Sequence, residues 1–154
     1  MSTPTYTLID STTLASSASS VTFSSITQDY RDLILVGNFK ATAFDSHTGV
    51  RFNGDTGNNY HSVFTSDAGT GSNTGSYIQS YGLQDTTIGL TIIQIMDYTQ
   101  SKHKSVLTRG GTASVGMTAG RWASTSAITS VTVFGGQGLE WAAGGTFYLY
   151  GIEA

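Results

Sequence analysis

Cysteine is missing from this chain altogether, and proline occurs once, at Pro4. Without cysteine there are no disulfide staples and no thiolate metal sites, so stability must come from a packed core. Charge is also scarce, at 11% Asp, Glu, Lys and Arg, against about 25% in an average globular domain. Only Glu140 and Glu153 are glutamates, and the seven Lys and Arg are scattered, leaving a net charge of −3. That balance argues against a nucleic-acid partner, because gripping a phosphate backbone needs clustered cations. The one dense basic stretch, Lys102-His103-Lys104, reads as a solvated turn. No apolar run reaches membrane-spanning length, and the N-terminus lacks the basic and apolar regions of a signal peptide.

Apolar residues still make up 38% of the 154 positions and aromatics 11%, enough to build the core of a single domain over residues 1–154 with a short N-terminal arm. Ser, Thr, Gly and Asn take the place of charge. Helical periodicity is hard to find, whereas short alternating segments recur at spacings of about ten residues, the pattern of an all-β sandwich. The expected strands are Thr5–Leu14, Ser20–Ile26, Arg31–Ala41, Gly49–Asn53, Tyr60–Thr65, Tyr77–Tyr81, Gly89–Tyr98, Lys104–Thr108, Ala127–Phe134 and Gly145–Ile152. Arg121 and Trp122 fall in a connection, and Ser66–Ser76, with no large apolar residue, reads as an exposed loop. About ten strands predict an antiparallel two-sheet sandwich, a jelly roll.

Sites of chemistry are sparse. His47, His61 and His103 form no ligand pair at metal spacing, and no cofactor is expected. Asp45-Ser46-His47 has the letters of a hydrolase triad but sits too close in sequence for the linear relay. Asn53, Asp55 and Asn59 resemble part of a calcium loop without the closing bidentate glutamate, and read better as a turn. The dispersed carboxylates offer no paired acid and base, so no enzymatic activity is expected. Trp122, Trp141, Tyr60, Tyr77, Tyr81 and Tyr98 could stack on sugars, but aromatics on β-structure more often fill cores and subunit interfaces.

Several stretches together resemble a known group of proteins. They are Ile26-Thr-Gln-Asp-Tyr-Arg-Asp-Leu-Ile-Leu-Val36, Arg51-Phe-Asn-Gly54 followed by Tyr60, Leu107 after a Lys-rich turn, Thr118-Ala-Gly-Arg-Trp122 with Ala127-Ile-Thr-Ser-Val131, and Tyr148-Leu-Tyr-Gly-Ile152. This pattern is similar to small virion structural proteins of tailed phages, especially cyanophage-like ones. The resemblance implies a capsid decoration (cement) protein or, alternatively, a tail-fibre module contacting host glycans. It also implies manufacture in the host cytoplasm and residence on the outer capsid surface.

Strands with apolar residues on both faces, Leu33–Val36, Gly89–Met96 and Phe147–Tyr150, need a second covering layer. A homo-oligomer, as a trimer, supplies it, with Ile93, Ile95, Tyr148, Tyr150 and Trp122 as expected contacts. Pro4 in the N-terminal arm and Trp141 with Leu139 in a glycine-flanked loop are the expected contacts to the major capsid protein.

Overall fold

The computed structural model describes residues 4–43, 47–67, 69–80, 86–112 and 115–153. Twelve strands run β1 Tyr6–Thr13, β2 Ser20–Phe23, β3 Asp32–Phe39, β4 Thr48–Phe52, β5 Tyr60–Ser66, β6 Gly69–Gly75, β7 Ile78–Ser80, β8 Gly89–Met96, β9 Lys104–Gly111, β10 Val115–Trp122, β11 Val131–Gly135 and β12 Thr146–Ile152. The one helical turn among the described residues is the short 3₁₀ segment Gly136–Gly138, and none is long and apolar enough to cross a membrane.

All pairings are antiparallel. The large sheet has eight strands in the order β1-β12-β3-β8-β9-β10-β5-β6, and the small sheet four in the order β2-β11-β4-β7. The chain alternates between sheets from β1 through β5 and again from β10 to β12, the wrapped path of a jelly roll. Leu33, Leu35, Ile93, Ile95 and Leu149 of the large sheet pack inward, against Phe23, Val50, Phe52 and Val131 of the small one. These side chains alternate with outward ones because a strand turns successive residues to opposite faces.

The ten expected strands are present, with ends shifted by a few residues, and two more were not anticipated. Ser66–Ser76 is not a free loop: β6 pairs residue by residue with β5, from Tyr60↔Gly75 to Ser66↔Gly69. Its glycines and small polar side chains bury little, so backbone hydrogen bonds hold it at the sheet edge. Arg121 and Trp122 likewise close β10, where Trp122 pairs with Lys104 and with Tyr60. In β1 the register shifts between Leu8 and Asp10; the intervening Ile9 leans onto the core, as a bulge allows.

Candidate functional site

The two outer faces differ in chemistry. On the small sheet the outer face carries Thr22 and Thr132, whose hydroxyls lie 2.9 Å apart. Arg51 is there too, its guanidinium 4.9 Å from the centre of the Phe134 ring. The outer face of the large sheet carries apolar side chains over its middle strands, with polar ones among them and at both edges. Cross-strand register aligns one row of side chains over all eight strands: Ser11, Tyr148, Val36, Ile92, Arg109, Met117, Thr65 and Thr70. The next row runs Leu8, Tyr150, Ile34, Gln94, Leu107, Ala119, Val63 and Ser72.

At the β10-β5 end the usual polarity is inverted. Val63, Val115 and Met117 are exposed at 52%, 68% and 52%, while Ser62 and Thr118 on the opposite side are buried. The reason lies in the small sheet. A Cβ at Gly120 would come within 2.8 Å of Ile78, so β7 approaches too closely for a large inward residue at that point of β10, although Trp122 at its end does pack inward. Hydroxyls fill that gap in pairs, with Ser80 donating to Thr108 at 2.8 Å. Bulk is therefore pushed outward, contrary to the ordinary cost of wetting aliphatic surface.

Two hollows mark this face. An open groove of about 600 Å³ is lined by Leu90, Ile92, Arg109, Val115 and Met117, with Thr65 and Asp67 at one side. A smaller hollow of about 230 Å³ lies between Tyr6, Ile34, Val36, Ile92, Tyr150 and, again, Arg109.

The expected contact residues separate into three groups. Trp141, Trp122, Ile93 and Ile95 are corrected to core positions, each at most 2% exposed. Trp141 is not a loop tip: it bridges Ala18 and Ala41 and its ring stands 4.9 Å from Phe39 and 4.8 Å from Phe147. Burying the indole removes far more water-exposed surface than displaying it would. Ile93 and Ile95 fall inward because Leu35 and Leu33, their partners on β3, do so. Tyr148 and Tyr150 do lie on the outer face, half-buried, with ring centres 6.4 Å apart. Pro4 is exposed and Leu139 half-buried. Tyr6, Leu8, Ile34, Val36, Leu90, Ile92 and Arg109 belong with the tyrosines but were missed; the parity of β3 and β8 was the available signal, and only pairing reveals it.

The residues weighed for chemistry are engaged structurally. Asp55 accepts hydrogen bonds from the Trp122 indole at 2.7 Å, from Asn59 at 2.9 Å and from the Gly57 amide at 2.8 Å. These donors, Trp122 foremost, hold its pKa below 3.8. Asn53 Oδ1 accepts from the amides of Thr129 and Ser130, so the oxygens read as calcium-like serve the turn. Tyr60 is buried beneath, its hydroxyl bonded to the backbone of Phe52 and Asp55; burial raises its pKa to about 12.

Lys104 departs from the solvated-turn expectation. It is fully buried, and its ammonium donates to the carbonyl oxygens of Gln100 at 2.5 Å and Lys102 at 2.6 Å. Desolvation chiefly lowers its pKa. Of the triad letters, His47 stacks on Tyr77 with centroids 6.0 Å apart, while Asp45 and Ser46 lie outside the described residues, as does Tyr81. Among the described residues no cluster of three or more His, Cys, Asp or Glu could hold a metal ion. Of the aromatics weighed as sugar-stacking, Trp122, Trp141, Tyr60 and Tyr98 are buried, and Tyr77 also packs edge-on against Phe134.

No family model matches the chain, and no curated protein is similar to it in sequence. Among solved structures, the exo-inulinase of Aspergillus awamori superposes over 96% of this chain with a TM-score of 0.50 and 15% identity. The chain spans only 29% of that enzyme's length, and the likeness is one of fold. Galectin LEC-6 of Caenorhabditis elegans superposes over 90% of this chain and 94% of its own, with a TM-score of 0.43 and 10% identity.

Proposed function

We propose that this chain is a non-enzymatic virion component of a tailed phage, a decoration (cement) protein. It sits as a homo-oligomer on the outer surface of the major capsid protein shell and stabilises it. The observation that carries the reading is the inverted polarity of β5 and β10, with Val63, Val115 and Met117 turned to solvent while Ser62 and Thr118 are buried. A sheet end that turns aliphatic side chains to solvent while hydroxyls face inward is arranged for contact with protein.

The virion assignment itself comes from the sequence patterns around Ile26–Val36, Thr118–Trp122 and Tyr148–Ile152. The titratable groups Asp55 and Lys104 are tied into turns rather than directed at a shared substrate position, which suits a fastener better than a catalyst.

Within this reading the β1-β12-β3 half of the face, with Tyr6, Leu8, Tyr148 and Tyr150, provides the contact between copies. The exposed Pro4 arm, leading directly into β1, remains the candidate contact to the major capsid protein. Three copies in a ring need a heterologous contact, one patch meeting a different one, which closes as a trimer. Binding to the assembled shell and not to its free subunits stabilises the shell by mass action, about 2.7 kcal/mol per site at a hundredfold excess over Kd.

The deciding experiment is quantitative mass spectrometry of purified virions. A cement protein is expected on the order of hundreds of copies per particle by icosahedral symmetry. A count of a few tens or fewer, together with glycan binding by the isolated protein, overturns the assignment in favour of a tail-fibre module. Replacing Tyr148 and Tyr150 together by Ser should reduce the oligomer mass in light scattering without unfolding the domain. An unchanged mass removes that patch as the contact between copies.

A further inference from the structure

We propose that the groove over β8, β9, β10 and β5 receives an extended, acidic and apolar polypeptide segment of the shell protein, with a carboxylate of that segment paired to Arg109. This rests on the assignment to the capsid surface for the identity of the partner, though not for its chemistry.

Arg109 lines both hollows of the outer face, so its side chain is common to the two. In its cross-strand row it is flanked by Ile92 and Met117, two apolar side chains. Among the described residues its side chain has no hydrogen bond or ion pair. Of the described residues lining the groove, Asp67 at the rim brings the one carboxylate, and it does not pair with Arg109. The outer face carries Arg109 and Arg121, two of the seven Lys and Arg of a molecule whose net charge is −3. Arg109 thus stands among apolar side chains in an acidic protein. A guanidinium in such surroundings gains most from a planar anion that takes two of its N–H donors at once.

Charge decides among the occupants. A second copy laid face to face across a two-fold axis would bring Arg109 and Arg121 towards their own kind, and like charges in a desolvated contact oppose association. A sugar would find partners in Thr65, Asp67 and Arg109 but would set its remaining hydroxyls against Leu90, Ile92, Val115 and Met117, at the cost of their hydration. An extended polypeptide fits better. Gly111 separates Leu90 from Val115 in the neighbouring register, leaving the floor bare for a backbone, while alternate apolar side chains of the segment meet the flanking aliphatics.

The test uses the full chain and three short capped peptides: leucine alternating with aspartate, with asparagine and with lysine. Binding is followed by NMR shifts of the Arg109 side-chain N–H and the Gly111 and Gly116 amides, at low and high salt. The aspartate peptide should bind at least about tenfold more tightly than the asparagine one, with the advantage shrinking in salt. Arg109→Gln should abolish the advantage, Arg109→Glu should transfer it to the lysine peptide, and Asp67→Asn should strengthen aspartate binding.

Equal binding of the three peptides, no binding, or indifference to Arg109→Gln overturns the proposal. So does a change of oligomer mass in Val115→Glu, at a site that lines the groove and not the hollow beside Tyr6 and Tyr150, because it would make the groove a contact between copies. A chain scarce on virions that binds through Arg109 sinks the shell assignment alone. A chain abundant on virions that ignores peptide charge sinks the groove alone.

Discussion

Replacing Trp141 by alanine separates a core residue from a surface anchor more sharply than any other change in this chain. The indole is fully buried and packs against Phe39 and Phe147 at 4.9 and 4.8 Å. The backbone of Trp141 exchanges hydrogen bonds with Ala18, at 2.8 and 3.0 Å, and alanine can keep both, so the loss belongs to the side chain. A buried tryptophan withdraws roughly 150–250 Å² from water, which at about 25 cal/mol per Å² is a gross gain of about 4–6 kcal/mol. Partial collapse of the cavity returns some of this, and large-to-alanine changes of the kind cost about 3–5 kcal/mol. Against a total stability of about 5–15 kcal/mol for a domain, that is at least about a fifth. The melting temperature should fall by about 6–20 °C for a chain of this length. Urea unfolding followed through Trp122, the remaining one of two tryptophans, would give the free energy, with the slope m unchanged. A loss below about 1 kcal/mol, accompanied by weaker attachment to particles, would refute the core placement and restore a loop-tip anchor.

Other expectations follow from the same geometry. Asp55 has a folded pKa below 3.8, so its contribution is complete above that value and is lost as the pH falls below it; Asp55→Asn should flatten the acid limb of stability measured by urea titration. Tyr60 has its pKa raised to about 12, so its contribution is complete below pH about 10 and disappears as the pH rises through 12; Tyr60→Phe should lower stability at neutral pH and blunt alkaline unfolding in circular dichroism. Gly49 lies under the Phe134 ring, so Gly49→Ala should cost about 1–3 kcal/mol in chemical denaturation. Val115→Ser, at an exposed site, should change folding stability by no more than about 0.5 kcal/mol.

The alternation of small polar and bulky residues was enough to place ten strands, because a half-buried strand announces itself by its period of two. It failed at β6 and at β10 for different reasons. Gly69–Gly75 has no apolar residue to give a period, and its strand exists through pairing with β5 alone. In Val115–Trp122 the alternation is present, but Val115 and Met117 face out while Thr118 and Gly120 face in. Hydrophobicity there points to the wrong face. The same ambiguity placed Ile93 and Ile95 at an interface, although their neighbour Ile92 is the one on the outer surface.

Composition and local pattern by themselves determined that this chain is β-structured, lacks disulfide support and is weakly charged, since these depend on which residues are present and how neighbours alternate. Which of two adjacent apolar residues meets water was decided by the tertiary structure. The parity of each strand follows from its register with a partner far away in sequence and from how closely the opposite sheet approaches. At Gly120 that approach leaves no room for bulk, and in the same strand Val115 and Met117 lie on the opposite, outer face with Arg109.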